Sequence, residues 1–309
     1  MANGFHLRGD NCAPIRQRRH LAQPPKRPPA RSAARPSARP AKPPRLKWDK
    51  KPARKPNPDA APSKGALERK DGEERIAKLL ARAGIASRRE VERMIADGRV
   101  TLNGEAITTP ATLLKSLHGV AVDGNLVKQA EPTKLFLFNK PAGCLTAERD
   151  FSGRKTIYDL LPPELPRVMP IGRLDFATEG LLLLTNDGEF KRQMELPSTG
   201  IERTYRARAF GDISQDQLEE LIHGIEIDGV RYGKIDANLE RRTGRNGWVE
   251  MTLTEGKNRE VRRVLEHFGL EVSRLIRTRY GPFSVEQLAP GEVSEIRRVD
   301  LIKFRDGLK

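Results

Sequence analysis

The sequence predicts an α+β protein with two folded parts behind a basic tail. Three observations predict it. Apolar residues recur at helical spacing between positions 73 and 98, whereas strand-like runs and short helices intermix from about residue 131 onward. Those later segments do not alternate as regular β-α-β units, which argues against a doubly wound sheet. The first 68 residues carry 13 of the 23 prolines and almost no apolar cluster.

The tail also holds the charge. The chain has 309 residues and a formal net charge of +16, yet residues 1–70 alone contain 19 Lys+Arg against 4 Asp+Glu. The rest of the chain is close to neutral. Pro-Pro pairs recur at 24–25, 28–29 and 43–44 with cations between them. Such a segment cannot bury enough apolar surface to offset its ordering entropy, so residues 1–68 are expected to be disordered and partly polyproline II. A cationic tail of this kind is either a solvated extension or a salt-sensitive polyanion tether.

The two cysteines, Cys12 and Cys144, lie far apart and the five histidines are scattered. No disulfide framework, metal site or cofactor motif is suggested, and a reducing compartment fits. No apolar run approaches the ~20 residues of a membrane span, and the N-terminus lacks the apolar core of a signal peptide. The cytosol is the expected location, or an organelle matrix if the Arg-rich start is a transit peptide.

The first folded part is expected over residues 70–130. Glu73–Ala83 places Ile76, Leu79, Leu80 and Ala83 on one helical face, and Gly84 stops it. Ser87 and Glu90 have the spacing of a capping box, and the following helix turns Val91, Met94 and Ile95 inward before Gly98. Asn103-Gly104 predicts a tight hairpin turn within 100–107. Arg82, Arg88, Arg89 and Arg99 are the expected surface cations. Short strands continue over 112–130, and Glu131-Pro132-Thr133 links to the second part, residues 131–309.

That part opens with an apolar strand run, Lys134–Pro141. Leu181–Leu184 reads as a buried strand between Gly180 and an Asn-Asp-Gly turn at 186–188. Ser214–Gly224 reads as a helix with Leu218, Leu221 and Ile222 on one side. Trp248–Thr254 alternates like a half-exposed strand.

Three elements could carry chemistry. Asp175 sits in a loop bracketed by Gly172 and Gly180. Alone, it would read as a loop aspartate bonding nearby backbone N–H groups. Next, Glu255–Gly269 reads as a loop feeding an amphipathic helix, with Val261, Val264, Leu265 and Phe268 inward. Arg262 falls at the edge of that stripe, and Arg259 and Arg263 point further outward. A partly buried Arg262 needs an anionic partner, and Asp175 would serve, although another carboxylate could do so. Finally, Tyr205 and Ala207 share a strand face opposite Arg206 and Arg208. A strand tyrosine is usually core, but in a nucleic-acid site it is also a platform for an unstacked base.

Two resemblances join these parts. Residues 75–104, from Arg75-Ile-Ala-Lys-Leu-Leu to Val-Thr-Leu-Asn-Gly104, resemble the alpha-L RNA-binding domain first named from ribosomal small-subunit protein four. The resemblance implies that the helix beginning at Arg88, and the loop before it, sit against structured RNA. Residues of about 73–300 resemble the RsuA/RluB-type pseudouridine synthases. The matching motifs are Lys140-Pro-Ala-Gly143, Gly172-Arg-Leu-Asp-x-x-Thr-x-Gly-Leu-Leu-Leu-Leu-Thr-Asn186, Arg203-Thr-Tyr205, Glu255-Gly-Lys-Asn-Arg-Glu-Val-Arg-Arg263 and Ser273-Arg-Leu-Ile-Arg-Thr-Arg-Tyr-Gly281.

The family resemblance implies a mixed, mainly antiparallel sheet. It implies Asp175 as the catalytic aspartate, Tyr205 on the flipped uracil and Arg262 as the cation paired with Asp175. Arg173 would fill the gap left in the RNA stack, and Leu275 would pack on the base. Arg82, Arg88, Arg89 and Arg99 would contact RNA. No cofactor, metal or membrane is implied. The expected partner is ribosomal RNA or a pre-ribosomal particle, and a monomer is the expected state. The motifs resemble large-subunit enzymes most, with a small-subunit target as the nearest alternative. A non-catalytic RNA-binding or ribosome-assembly factor is the competing class, and it leaves the Asp175, Tyr205 and Arg262 set unexplained.

Overall fold

The computed structural model describes residues 72–285 and 287–308. The tail expected over residues 1–68 lies outside the described residues. The described chain begins with β1 (Glu74–Arg75), α1 (Ile76–Arg82) and α2 (Arg88–Ala96). Then come β2 (Val100–Leu102), β3 (Glu105–Ala106), β4 (Leu113–Leu114), β5 (Val120–Val122) and β6 (Asn125–Leu126).

The helix expected from Glu73 starts three residues late. Glu74 and Arg75 instead pair with Leu114 and Leu113 as strands. Ser87 caps α2 by accepting from Glu90 N at 3.2 Å, but the Glu90 carboxylate turns to Arg93 at 2.9 Å, so only half of the capping box forms. Asn103 and Gly104 both have positive φ, 52° and 91°, which is the backbone a two-residue hairpin turn demands. Ile76, Leu80, Val91, Ile95, Val100 and Val120 form this part's core.

The second part contains β7 (Leu135–Lys140), β8 (Met169–Ile171), β9 (Thr178–Thr185), α3 (Gly188–Glu195), β10 (Arg203–Phe210) and α4 (Gln215–Glu219). It continues with β11 (Ile225–Ile227), β12 (Val230–Tyr232), β13 (Ile235–Thr243), β14 (Asn246–Leu253) and α5 (Glu260–His267). The last elements are β15 (Glu271–Tyr280), β16 (Phe283–Ser284), β17 (Val293–Glu295) and α6 (Arg298–Asp306). One nine-stranded sheet runs β13-β14-β10-β15-β9-β7-β17, with β16 on β15 and β8 on β9. Its pairs are antiparallel except β15 with β9, which are parallel. The sheet is therefore mixed and mainly antiparallel, as expected of an α+β fold.

The leucine run in β9 has a simple cause. Leu181 and Leu183 enter a core with Phe190 and Met194 of α3 and Leu301 of α6, while Leu182 and Leu184 enter the opposite core with Phe136, Phe138 and Leu174. A strand buried on both faces needs no polar alternation. A third core holds Val261, Val264 and Leu265 of α5 and Leu218 of α4 against β10, β13, β14 and β15.

Two local expectations change. The chain after α4 tightens into a 3₁₀ turn over Glu220–His223, which rotates Ile222 outward to 38% exposure. Asn186-Asp187-Gly188 is not a free turn: the Asp187 carboxylate accepts from Glu189 N (2.9 Å) and Phe190 N (3.3 Å), capping α3.

Candidate active site

Asp175 lies in the loop between β8 and β9, and its backbone is held from several sides. Glu195, at the end of α3, accepts from Gly172 N at 2.6 Å. Thr146 Oγ1 donates to Leu174 O at 2.8 Å and accepts from Leu174 N at 3.3 Å. Gly143 N donates to Phe176 O at 2.8 Å, and Thr178 N to Asp175 O at 3.0 Å. Lys140 is fully buried, and its ammonium donates to Pro141 O (3.1 Å), Asp175 O (3.1 Å) and Thr178 O (2.9 Å). Burial pushes the Lys140 pKa down, while Cys144, Asp175 and Glu179 hold it up. The Lys140-Pro-Ala-Gly143 motif thus clasps the loop by its carbonyls. The Asp175 side chain is left 41% exposed, free to meet a ligand.

The carboxylate opens on a cavity of about 1120 Å³ lined by Arg173, Tyr205, Leu275, Arg259 and Arg277 among others. Strand register explains the grouping. Tyr205 pairs with Arg277, which pairs with Gly180, and Ala207 pairs with Leu275, which pairs with Thr178. These residues share one face of three adjacent strands. Gly180 has φ +97°, and a Cβ there would collide with the Arg277 backbone, so this parallel contact requires glycine. Leu275 is buried at 4% exposure, Tyr205 is half-buried, and Arg173 is exposed at the cavity rim.

Arg277 is a site residue that the sequence reading did not single out. It is 2% exposed, and its Nε donates to Leu181 O at 2.7 Å. Its Nη1 lies 3.5 Å from the Tyr205 hydroxyl, and its guanidinium stands 5.2 Å from the Tyr280 ring centroid. Its Nη2 has no hydrogen-bond partner among the described residues. A buried guanidinium held this way orients Tyr205. The signal was available: Arg277 lies two residues beyond Leu275 and so shares its strand face.

The expected pairing of Arg262 with Asp175 is corrected. Arg262 is buried at 7% exposure, as its helical phase predicts, but its Nη1 donates to Val272 O at 3.0 Å and its Nε has no partner among the described residues. Arg259 makes the ion pair, with Nη1 at 3.6 Å from Asp175 Oδ2. Arg259 precedes α5 and adopts a left-handed backbone, φ 50° and ψ 33°. Helical phase therefore does not govern its direction, and the turn carries it toward the cavity. Arg262 still feels the site: burial and Arg259 push its pKa down, and the Asp175 and Glu266 charges oppose that.

Four carboxylates line the cavity among the described residues, and three accept hydrogen bonds. Glu195 takes Gly172 N and Lys191. Glu255 takes Gly233 N (2.5 Å) and Lys257 Nζ (2.6 Å). Glu260 is 3% exposed and accepts from Lys257 N at 2.8 Å; burial first, and Glu255 beside it, push its pKa up to about 7. Asp175 alone has no side-chain hydrogen bond among the described residues, only the long contact with Arg259.

The four arginines expected to meet RNA divide. Arg88 and Arg89 are exposed. Arg82 is not open to solvent as expected: it reaches Asn186 O and Thr133 Oγ1, both at 3.4 Å, and Asp187 at 3.7 Å. It ends α1 where that helix meets the linker and the start of α3, so it joins the two parts. Arg99 is paired with Asp123 through two bonds of 2.7 and 2.6 Å.

This arrangement is an open cavity, far larger than a single base, with one carboxylate free of side-chain hydrogen bonds, an aromatic wall and a small separate core of helices and short strands ahead of it. Residues 134–267 match the RNA pseudouridylate synthase family, and residues 74–116 match the S4 domain. The chain is 45% identical over 225 residues to an uncharacterized RNA pseudouridine synthase of Rickettsia bellii, covering 73% of this chain and 97% of that one. It is 39% identical over 225 residues to the ribosomal large subunit pseudouridine synthase B of Pasteurella multocida, covering 70% of this chain and 65% of that one. A solved structure titled as a pseudouridylate synthase is 26% identical with a TM-score of 0.52, covering 74% of this chain and 98% of that one. The chain belongs to the RNA pseudouridine synthase family. It is an isomerase that converts uridine to pseudouridine in RNA.

Proposed function

We propose that this enzyme modifies large-subunit ribosomal RNA, free or in a pre-ribosomal particle, and that Asp175 is its catalytic carboxylate. The observation that carries the second claim is that Asp175 alone among the cavity's carboxylates makes no side-chain hydrogen bond among the described residues and is partly exposed, on a backbone fixed from both sides. The target class follows from relatives named for the large subunit. We place the RNA-binding module at residues 70–130 and the catalytic domain at 131–309, acting as a cytoplasmic monomer.

The reaction breaks the bond from uracil N1 to ribose C1′ and forms one from uracil C5 to C1′, with a proton lost from C5 and one gained at the freed N1. The base must leave the RNA stack, which costs a few kcal/mol. Tyr205 and Leu275 receive the extruded uracil, and Arg173 at the rim fills the vacated position. Stacking offsets the extrusion cost. Asp175 faces the ribose as nucleophile or base. Arg259 touches its carboxylate, and Arg262 supplies a buried positive charge nearby.

The test is pseudouridine mapping on unmodified large- and small-subunit transcripts. Asp175→Asn is expected to abolish product while binding RNA as the wild type does. Product from that variant at wild-type rate would overturn the assignment, and product confined to the small-subunit transcript would move the target.

A further inference from the structure

The nine-stranded sheet has a second face, turned away from the cavity. Tyr205 and Ala207 of β10 lie on the cavity side, so Arg206, Arg208 and Phe210 point the opposite way. Strand register builds a row there. Arg274 pairs with Arg208, Arg208 with Trp248, and Trp248 with Arg241, across β15, β10, β14 and β13. Arg208, Arg241 and Arg274 are exposed, and Trp248 is half-buried. Like charges set opposite each other weaken a sheet, so this row does not serve the fold. Glu179 neutralises Arg274 through bonds of 3.0 and 2.7 Å. The bulge between Leu239 and Arg241 brings Glu240 to the same face, where it takes Arg206. Arg208 and Arg241 have no carboxylate partner among the described residues.

The Trp248 ring has one side covered and one open. The Arg206 guanidinium lies over it, 4.6 Å from the ring centroid. A pocket of about 190 Å³ lies beside the ring, lined by Arg208, Arg241, Thr243, Asn246, Gly247 and Trp248. Arg206 is not part of that lining, so the pocket opens on the ring's other side. Arg208 and Arg241 flank the indole, two strand spacings or about 10 Å apart. Two residues along β10, Phe210 is 42% exposed beneath the Arg245 guanidinium, 4.8 Å from its centroid.

Resting on the RNA-modifying activity above, we propose that this reverse face binds an unpaired segment of the substrate RNA. One base stacks on Trp248, and the adjoining phosphates meet Arg208 and Arg241. The flipped uridine enters from the other side of the sheet, so this segment is a different stretch of the same RNA. Aromatic rings set among cations on an open sheet face suit unstacked bases. A protein interface would want an apolar centre depleted in charge, and here every exposed ring lies under a guanidinium. The chain's own basic segment is repelled, because residues 1–70 hold 19 Lys+Arg against 4 Asp+Glu.

The chain has two tryptophans, Trp48 and Trp248, so full-length Trp48→Phe reports from this face alone. Its fluorescence is followed while a 12-nucleotide oligouridylate, then the unmodified large-subunit transcript, is added across a salt series. Both RNAs are expected to quench Trp248. Arg208→Ala with Arg241→Ala should weaken the quenching titration and lower its slope of log affinity against log salt by about 1.4, for two phosphates of a single strand. The paired Arg→Lys variant should keep the slope. Both arginines are exposed and unpaired, so these variants fold alike, and their single-turnover rate at saturating transcript should equal the parent's. Trp248 fluorescence that ignores both RNAs while the transcript binds overturns the proposal, as does a slope unchanged by the double alanine variant. Fluorescence that shifts with protein concentration in the absence of RNA assigns the face to a second copy of the chain and also overturns it. Quenching by both RNAs without pseudouridine in the transcript refutes the large-subunit target alone and leaves the reverse face supported.

Discussion

Lys140 offers the sharpest test of how the Asp175 loop is held. The substitution is Lys140→Met, which keeps the length and apolar bulk of the stem and removes the ammonium. Three charge-assisted hydrogen bonds disappear, to Pro141 O, Asp175 O and Thr178 O. Bonds to charged groups contribute about 1.5–3 kcal/mol each, so the gross loss is roughly 5–9 kcal/mol. The ammonium is fully buried, however, and burial itself lowers its pKa, so releasing it from desolvation returns several kcal/mol. Asp175 O also keeps its bond from Thr178 N at 3.0 Å. The net destabilisation should be about 3 kcal/mol, read as a lower midpoint with unchanged slope in urea unfolding. The effect on turnover should exceed what stability explains. On the role proposed for Asp175, a displacement of about 1 Å loses about 10²-fold in rate, so kcat should fall by that factor in a fully folded sample while RNA affinity holds. A variant within 0.5 kcal/mol of wild type and with normal kcat would show that the clasp does not position Asp175.

Two further outcomes follow from the site's charges. Glu260 has a folded-state pKa raised to about 7 from 4.5, so it favours the native state only while protonated. Its contribution is present at low pH and is lost as pH rises through about 7. Glu260→Gln, which keeps an acceptor for Lys257 N, should therefore be more stable than wild type by about 3 kcal/mol at pH 8 and by under about 1 kcal/mol at pH 5. Denaturant titrations at the two pH values check this, and an equal difference at both would contradict it. The two arginines near Asp175 should also separate. The Arg259 pair is about 40% exposed on both sides, so Arg259→Ala should cost under about 1 kcal/mol and a few-fold in kcat. Arg262→Met removes a buried charge and should cost about 10²-fold in kcat. Single-turnover rates on the same transcript compare them, and the opposite ranking would assign the catalytic cation to Arg259.

Much of this protein was legible in its residue order because the signals are local. The four leucines of β9, the alternation of β14, the inward stripe of α5 and the hairpin at Asn103-Gly104 each follow from a period or a turn rule. Asp175, Tyr205, Leu275 and Arg173 were found through motifs, and the structure gathers all four around one cavity. Sequence reasoning misplaced residues just outside regular elements. Arg259 stands before the first turn of α5 with a positive φ, so no helical phase could aim it. Ile222 turned outward because the chain tightened after α4. Arg82 looked like a free surface cation because the linker and the start of α3, which it contacts, lie 51 to 105 residues away.

By itself, then, the sequence determined the main elements, the excess of positive charge in residues 1–70 and the family it resembles. Those depend on spacing over a few residues. The tertiary structure alone decided which arginine touches Asp175, that Arg277 supports Tyr205, and that Lys140 clasps the Asp175 loop by its carbonyls. Each of those contacts joins strands or loops distant in sequence. Their partners are set by strand register and by what burial leaves unpaired, and neither can be read from residue order.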